Sequence, residues 1–297
     1  MAALLSHPGW MISRWIDSFG WERTIQLCQW NNTVPILTVR MNSLQTEKEA
    51  FEKFLEESMI QWEPSQIIPE FYTVHGVSKI RSSSQFNDGH FSFQDVSSGL
   101  VTNLLEPTEG DSVLDVCAAP GGKCSYMAEL MRNSGSVYAF DVDADRYALL
   151  KESMKRLKLN SVNVEQKDAT VDSFQVSDKI LIDAPCTGTG VMAKRADLKW
   201  RRRPSDLDEM VALQKRIISH IAQFLESEGE LVYATCSVEP EENWGVVDSF
   251  LADNPSFSVQ SAEGRVPSGF LDNMGALSTF PPEHGMDGVF AVILRRN

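Results

Sequence analysis

Five short apolar runs, each closing on or leading to an aspartate or a cysteine, constrain this chain more than any other feature. They are Ser112–Cys117, Ser136–Asp141, Val162–Val164 leading to Asp168, Lys179–Asp183 and Leu231–Cys236. Runs of this length, rich in Val, Ile and Leu, read as buried strands. Helical periodicity fills much of the space between them. One helix is expected from about Lys123 to Arg132, and a second, which Asp143 can cap, runs to about Leu159. A third opens at Pro204-Ser205, with Asp208 three residues after Ser205 as a capping pattern, and runs to near Gly229. A further helix from about Glu241 to Leu251 and a strand from Gly288 to Leu294 close the chain. Strands alternating with helices imply right-handed crossovers and a parallel sheet, so the fold class is α/β. Ligands of such sheets gather outside the carboxyl ends of the strands, where these acids and thiols stand.

The first third of the chain reads differently. Trp10, Ile12, Trp15, Ile16 and Phe19 fall at helical spacing, so residues 4–30 read as a helical lead-in that serves packing. A strand is expected at Val34–Met41, followed by a helix announced by Thr46 and Glu49 and faced with Ala50, Phe51, Phe54, Leu55 and Met59. Further strands are expected at Phe71–Val74 and Val77–Arg81. Ser82–His90 is the best linker candidate, which puts a domain boundary near Phe91. The expected division is a small N-terminal α+β module at 1–90 and a catalytic domain at 91–297. A helix from Val96 to Leu105 opens the second part and stops before Pro107.

Composition excludes several classes. The longest apolar runs, such as Val289–Leu294, fall far short of the roughly 20 residues a membrane span needs. The amino terminus lacks the pattern of a secretory signal, so cytoplasmic residence is expected. Five cysteines, at 28, 117, 124, 186 and 236, are odd in number and form no C-x-x-C pair, so free thiols are expected and neither zinc nor a disulfide framework. The net charge of −14 argues against a broad nucleic-acid footprint. One segment runs the other way. Lys194, Arg195, Lys199, Arg201, Arg202 and Arg203 face the single acid Asp197, and Trp200 among them offers a face on which an unpaired base stacks.

The chemistry concentrates in three loops. Asp115-Val116-Cys117-Ala118-Ala119-Pro120-Gly121-Gly122-Lys123 is a glycine turn between strand and helix, the usual seat of a nucleotide-like ligand. It is neither G-x-G-x-x-G nor a P-loop, which disfavours a dinucleotide or a triphosphate. Asp141, ending the next strand, is placed to accept from ribose hydroxyls, and Asp168, after the third, to face an adenine amino group. Asp183-Ala184-Pro185-Cys186-Thr187-Gly188-Thr189-Gly190 sets a carboxylate and a thiol at one strand end, and Thr235-Cys236-Ser237 sets a second thiol at another.

DVCAAPGGK, DAPCTGTG with the downstream KWRRRPSD, and ATCSVEPEEN together resemble the Sun family of RNA cytosine-5 methyltransferases, which includes a bacterial 16S ribosomal RNA enzyme. The resemblance covers essentially the whole chain: NNTVPILTVRMN and FSFQDVSS resemble the family's N-terminal module and its junction, and EHGMDGVFAVILRR its last strands. It implies a Rossmann-like methyltransferase domain, S-adenosylmethionine as methyl donor and RNA as partner, with a monomer expected. Donor contacts are implied for Cys117, Ala118, Ala119, Pro120, Gly121, Gly122, Lys123, Asp141, Arg146, Asp168 and Asp183. Bacterial ribosomal members carry a further helical RNA-binding domain ahead of the module, which this chain is expected to lack. Arg195-Ala196 also stands where the family often has His-Pro.

Cytosine C5 becomes nucleophilic only after a thiolate adds to C6. The resemblance makes Cys236 that nucleophile and Cys186 the thiol that assists release. Asp183 is the candidate to donate a proton or hydrogen bond at N3 as charge develops, its pKa raised by burial beside the base. Lys123 is the candidate to stabilise a thiolate. Cys28, Cys117 and Cys124 are assigned to packing. The target base must be unpaired or flipped, which ribosomal RNA during assembly or a tRNA loop satisfies. Two other readings compete: a DNA cytosine-5 methyltransferase using Cys186 as nucleophile, and an RNA-binding assembly factor that keeps the domain as scaffold.

Overall fold

The computed structural model describes residues 2–297. Its lead-in comprises α1 (Ala2–Leu5) and α2 (Gly9–Trp30), the latter broken at Gly20, whose φ of 78° no helix accommodates. Met11, Ile12, Trp15, Leu27 and Cys28 bury against Met192, Val238 and Phe280 and against Leu198, which opens a short helix of the catalytic domain. The lead-in thus packs beside the thiol loops.

The small module follows as β1 (Leu37–Met41), α3 (Lys48–Glu57), β2 (Trp62–Pro64), β3 (Phe71–Val74), α4 (Val77–Arg81), α5 (Ser84–Asn87) and β4 (Phe91–Phe93). Its antiparallel sheet has the order β2-β3-β1-β4, with Val39 opposite both Tyr72 and Phe93. Phe51 and Leu55 of α3 pack on Val39, Tyr72 and Phe91. Two expectations fail here. Val77–Arg81 is a helix, because Gly76 at φ 83° turns the chain off the sheet and Val77 and Ile80 then lie three apart on one inward face. The expected linker holds α5, capped where the Phe86 N–H donates to Ser83 Oγ at 3.1 Å. The sheet's last strand lies beyond residue 90.

The larger unit contains α6 (Val96–Asn103), β5 (Ser112–Val116), α7 (Gly122–Leu130), β6 (Ser136–Asp141), α8 (Ala144–Leu157), β7 (Val162–Gln166), β8 (Ser177–Asp183), α9 (Leu198–Arg201), α10 (Pro204–Ile221), β9 (Leu225–Thr235), α11 (Trp244–Asp253), β10 (Phe257–Gln260), β11 (Leu277–Ser278), α12 (Pro281–His284) and β12 (Phe290–Arg296). Its sheet runs β10-β12-β9-β8-β5-β6-β7, with β11 beside β12. The pairs from β9 to β7 are parallel, and β12 is antiparallel. Strand residues alternate between two cores: Leu181 and Val232 face α6, α7 and α8, while Ile180, Ile182 and Tyr233 face α10 and α11.

Three boundaries differ from expectation. The N-cap of α10 is Arg203, whose N–H donates to Asp206 three residues on at 3.2 Å, in place of the expected Ser205–Asp208 pair. The helix ends at Ile221 and β9 already begins at Leu225, because Gly229 lies within the strand. The short strands β10 and β11 carry too few residues to announce themselves and exist by pairing with β12.

The module is fastened to the catalytic domain by Arg40, a fully buried residue of β1. Its guanidinium donates to Glu129 at 2.9 and 2.7 Å, to Ser125 at 2.9 Å and to the Gly122 carbonyl at 3.0 Å, and it also bonds Gln94. The residues it holds flank the glycine turn, so the docking bears on the site.

Candidate active site

The β5–α7 turn carries the first element of the site. Gly121 has φ 106°, and a Cβ there would press into Met154 at 2.7 Å and Leu150 at 2.9 Å. Glycine is therefore demanded by packing at 121. At Gly122 it is not: a Cβ would meet only Gln94, at 3.6 Å. The space left by that missing side chain belongs to a cavity of about 240 Å³ whose lining includes Ala118, Ala119, Pro120, Gly122 and Lys123 of the turn together with Asp183, Cys236, Asp95 and Asp287. A turn with backbone bared toward a cavity at a strand's carboxyl end fits a nucleoside-bearing donor.

Asp141, at the end of β6, is buried and braces this turn. It accepts from the Ala119 N–H at 3.2 Å and the Asp143 N–H at 3.1 Å, and Arg146 lies 3.3 Å away. Arg146 also donates to the Ala119 carbonyl at 2.6 Å. Asp168 holds its own loop, accepting from Thr170 N and Oγ1 at 2.8 and 2.7 Å, which pulls its pKa below the usual value. Cys117, Gly121, Asp141, Arg146 and Asp168 thus lie outside the cavity wall, and Asp141 and Arg146 reach it through the backbone they hold.

The two thiols converge. Cys186 Sγ and Cys236 Sγ are 3.2 Å apart and part-buried, hydrogen-bonded to each other and not joined as a disulfide. The hydrogen bond to Cys236, with burial next, raises the Cys186 pKa well above an ordinary thiol, so Cys186 is held as the neutral thiol. Cys236 faces the cavity that holds the donor turn. The close approach of the loops requires glycine: a Cβ on Gly190 would lie 2.1 Å from the Gly288 carbonyl oxygen. Gly190 N–H in turn donates to the Cys236 carbonyl at 3.0 Å.

Lys123 Nζ donates to Asp183 Oδ2 at 2.6 Å. Burial alone would lower the Lys123 pKa, but Asp183 outweighs it, and the lysine is held firmly charged with Cys236 also near enough to add to the effect. The acid and the cation expected to act separately therefore stand as one ion pair facing the thiol. Behind them Asp115 is fully buried, and neither carboxyl oxygen has a partner among the described residues. Burial, then the charge of Asp183, raises its pKa well above the usual range, so it is a neutral acid in the floor of the site.

Sequence reasoning passed over Glu242. This buried carboxylate accepts from Thr187 N at 2.8 Å, Thr187 Oγ1 at 2.5 Å and Gln214 Nε2 at 2.9 Å, and also from Ser237 Oγ. It therefore ties the residue after Cys186 to the residue after Cys236. Its signal was a third acid in Glu239-Pro240-Glu241-Glu242 directly after a thiol loop. Glu239 has a separate task, accepting from Arg14 at 2.6 Å and Trp15 at 2.8 Å of the lead-in.

The basic segment does less than its charge promised. Lys194 lies between Asp95 and Asp287, Lys199 is buried on the Asn31 carbonyl at 2.9 Å, and Arg202 donates to the Thr187 and Cys186 carbonyls at 2.8 and 3.1 Å. Trp200, 66% exposed, and Arg195, Arg201 and Arg203 remain turned to solvent. Cys28 and Cys124 are buried as packing thiols, as expected. Among the described residues no group of His, Cys, Asp or Glu is arranged to hold a metal, and no helix is long and apolar enough to cross a membrane.

The sequence matches two family profiles: one described as 16S rRNA methyltransferase RsmB/F over residues 102–295, the other as the RsmF/B-like ferredoxin-like domain over residues 7–79. It is 33% identical to a probable ribosomal RNA small subunit methyltransferase B of Bacillus subtilis, covering 100% of this chain and 68% of that protein. Two crystal structures superpose closely. The protein PH0851 is 33% identical with a TM-score of 0.93, over 99% of this chain and 67% of that one. A methyltransferase homologue from Pyrococcus horikoshii is 29% identical with a TM-score of 0.84, over 100% and 97%.

Proposed function

Because this chain belongs to the 16S rRNA methyltransferase RsmB/F family, we propose that it methylates C5 of a cytosine in ribosomal RNA through a covalent adduct between Cys236 and C6. The family makes it an S-adenosylmethionine-dependent RNA methyltransferase. The observation that carries the mechanism is the pair of thiols 3.2 Å apart, of which Cys236 lines the cavity formed by the glycine turn.

Residues Ala118–Lys123 would hold the donor, which when bound would offer its methyl group as the electrophile. The Cys236 thiolate forms a bond to C6, and the C5=C6 electrons shift toward N3, where the Lys123–Asp183 pair neutralises them by passing a proton. The C4=C5 enamine pair this leaves would then attack the methyl group, the methyl–sulfur bond breaking with its electrons retained on sulfur. Loss of the C5 proton then forms the C5=C6 double bond and expels the Cys236 thiolate from C6, and the proton held at N3 returns to the Lys123–Asp183 pair. Cys186, kept neutral beside Cys236, does not compete for C6; as the C6–S bond breaks it can donate its proton to the departing Cys236 sulfur 3.2 Å away, and the thiolate so formed can take the C5 proton. Asp141 and Arg146 fix the turn, and Glu242 fixes the distance between the thiols. We place the junction of the small module and the catalytic domain between β4 and α6, and the protein in the cytoplasm, where free thiols persist.

The test is transfer of labelled methyl to unmodified 16S RNA by wild type, Cys236→Ser and Cys186→Ser. Label in 5-methylcytidine, abolished by Cys236→Ser, with protein–RNA adduct accumulating in Cys186→Ser, is the expected result. Adduct that survives Cys236→Ser and disappears with Cys186→Ser would reverse the thiol roles.

A further inference from the structure

A second cavity, of about 290 Å³, lies on the far side of the donor turn, between the small module and α8. Its wall includes Arg81, Phe86, Ser92, Phe93, Ser153 and Arg156, and it meets the active-site cavity at Phe93, Pro120 and Gly122. Its charge is one-sided. No carboxylate lies within 4.0 Å of the guanidinium of either Arg81 or Arg156 among the described residues, in a chain whose net charge is −14. Arg156 is half-buried, stacked on the Phe86 ring at 4.0 Å, and bonded only to neutral oxygens: the Phe86 and Phe91 carbonyls at 2.7 and 3.0 Å and Ser92 Oγ at 3.4 Å. These contacts use three of a guanidinium's five N–H donors. Burial, with repulsion from Arg40, lowers its pKa, so the cation is held in place at a cost that an anion would relieve. Glu129 is committed to Arg40, and Glu152 is too far for an ion pair.

We propose that this cavity is a subsite for a nucleotide of the substrate RNA next to the target cytosine, its phosphate on Arg156 and Arg81 and its base against Phe86 and Phe93. The proposal rests on the RNA reading above and deepens it: once the target base enters the active-site cavity, a neighbouring nucleotide falls to one side of the donor turn. Arginine pairs phosphate, and an aromatic face takes any base, so the subsite sets strand path and polarity before sequence.

Arg81→Ser and Ser153→Glu probe it with little risk to folding, since Arg81 is exposed and Ser153 is half-buried at the cavity wall. Initial rates on unmodified 16S RNA and anisotropy of a short fluorescein-labelled oligocytidylate are measured against salt. Arg81→Ser is expected to raise the KM for RNA about 5-fold and reduce the salt slope by about 0.7, and Ser153→Glu to raise it about 10-fold. The KM for S-adenosylmethionine and the melting temperature should not change. RNA KM, oligocytidylate affinity and salt slope equal to wild type in both variants would overturn the subsite. Absence of methyl transfer in wild type, with oligocytidylate binding weakened by both substitutions, would overturn the catalytic reading and leave the subsite standing.

Discussion

Glu242 offers the sharpest test of how the site is held together. Its Oε1 accepts from Thr187 N and from Gln214 Nε2, which also donates to the Pro185 carbonyl at 2.8 Å, while its Oε2 accepts two hydroxyls, Thr187 Oγ1 and Ser237 Oγ. A glutamine preserves most of this. Its amide oxygen can keep the N–H donors, and its NH2 can donate to the hydroxyls, which turn round to accept. The expected loss is the charge assistance alone, about 1–2 kcal/mol. Alanine strands both N–H donors in a dry site at roughly 1–3 kcal/mol each, so Glu242→Ala should cost about 4 kcal/mol. Burial, opposed by these hydrogen bonds, raises the Glu242 pKa, so mild acidification should shift wild type toward the glutamine-like state. Urea unfolding of the three proteins, with adduct trapping on RNA, reads the result. Glu242→Gln should keep adduct formation within about 10-fold of wild type and Glu242→Ala should lose about 100-fold or more, as the thiols drift from register. Equal destabilisation by glutamine and alanine would show that the geometry at Oε2 is not exchangeable and would refute the reasoning.

Three further outcomes follow from other parts of the structure. Arg40→Met leaves Glu129 buried without its cation and should cost about 3–5 kcal/mol, whereas Arg40→Met with Glu129→Leu should recover most of it; thermal unfolding of both decides. Asp183→Asn should lower methyl transfer about 1000-fold while isothermal titration finds donor binding largely kept, and wild-type turnover would remove Asp183 from the chemistry. Burial, then repulsion from Asp95, raises Asp287 to about 7. A carboxyl raised in the fold contributes stability present below its unfolded pKa and lost as pH rises through the folded value. Unfolding free energy should therefore decline between about pH 4 and pH 7, and Asp287→Asn should flatten that slope.

The sequence determined the strands and where their chemistry would emerge. Apolar runs ended by Asp115-Val116-Cys117, Asp141, Asp183 and Cys236 leave a parallel sheet no other place for those side chains than its carboxyl edge, and the three motifs that carry the family resemblance lie there. Local rules failed where pairing or packing outweighed them. Val77–Arg81 has a strand's composition yet forms a helix because Gly76 turns it away, and β10 and β11 exist only because β12 offers an edge. Charge was the least legible quantity. A run of six cations reads as an RNA surface until the fold spends Lys194, Lys199 and Arg202 internally, while Arg156, unremarkable in its helix, becomes an unpaired cation through the module packed against it. Arg40, Glu129 and Glu242 belong with these, since each meets partners far away in sequence. Periodicity and strand-end chemistry are local and can be read along a chain; the partner of a buried charge is set by which elements come together, and only the tertiary structure decides that.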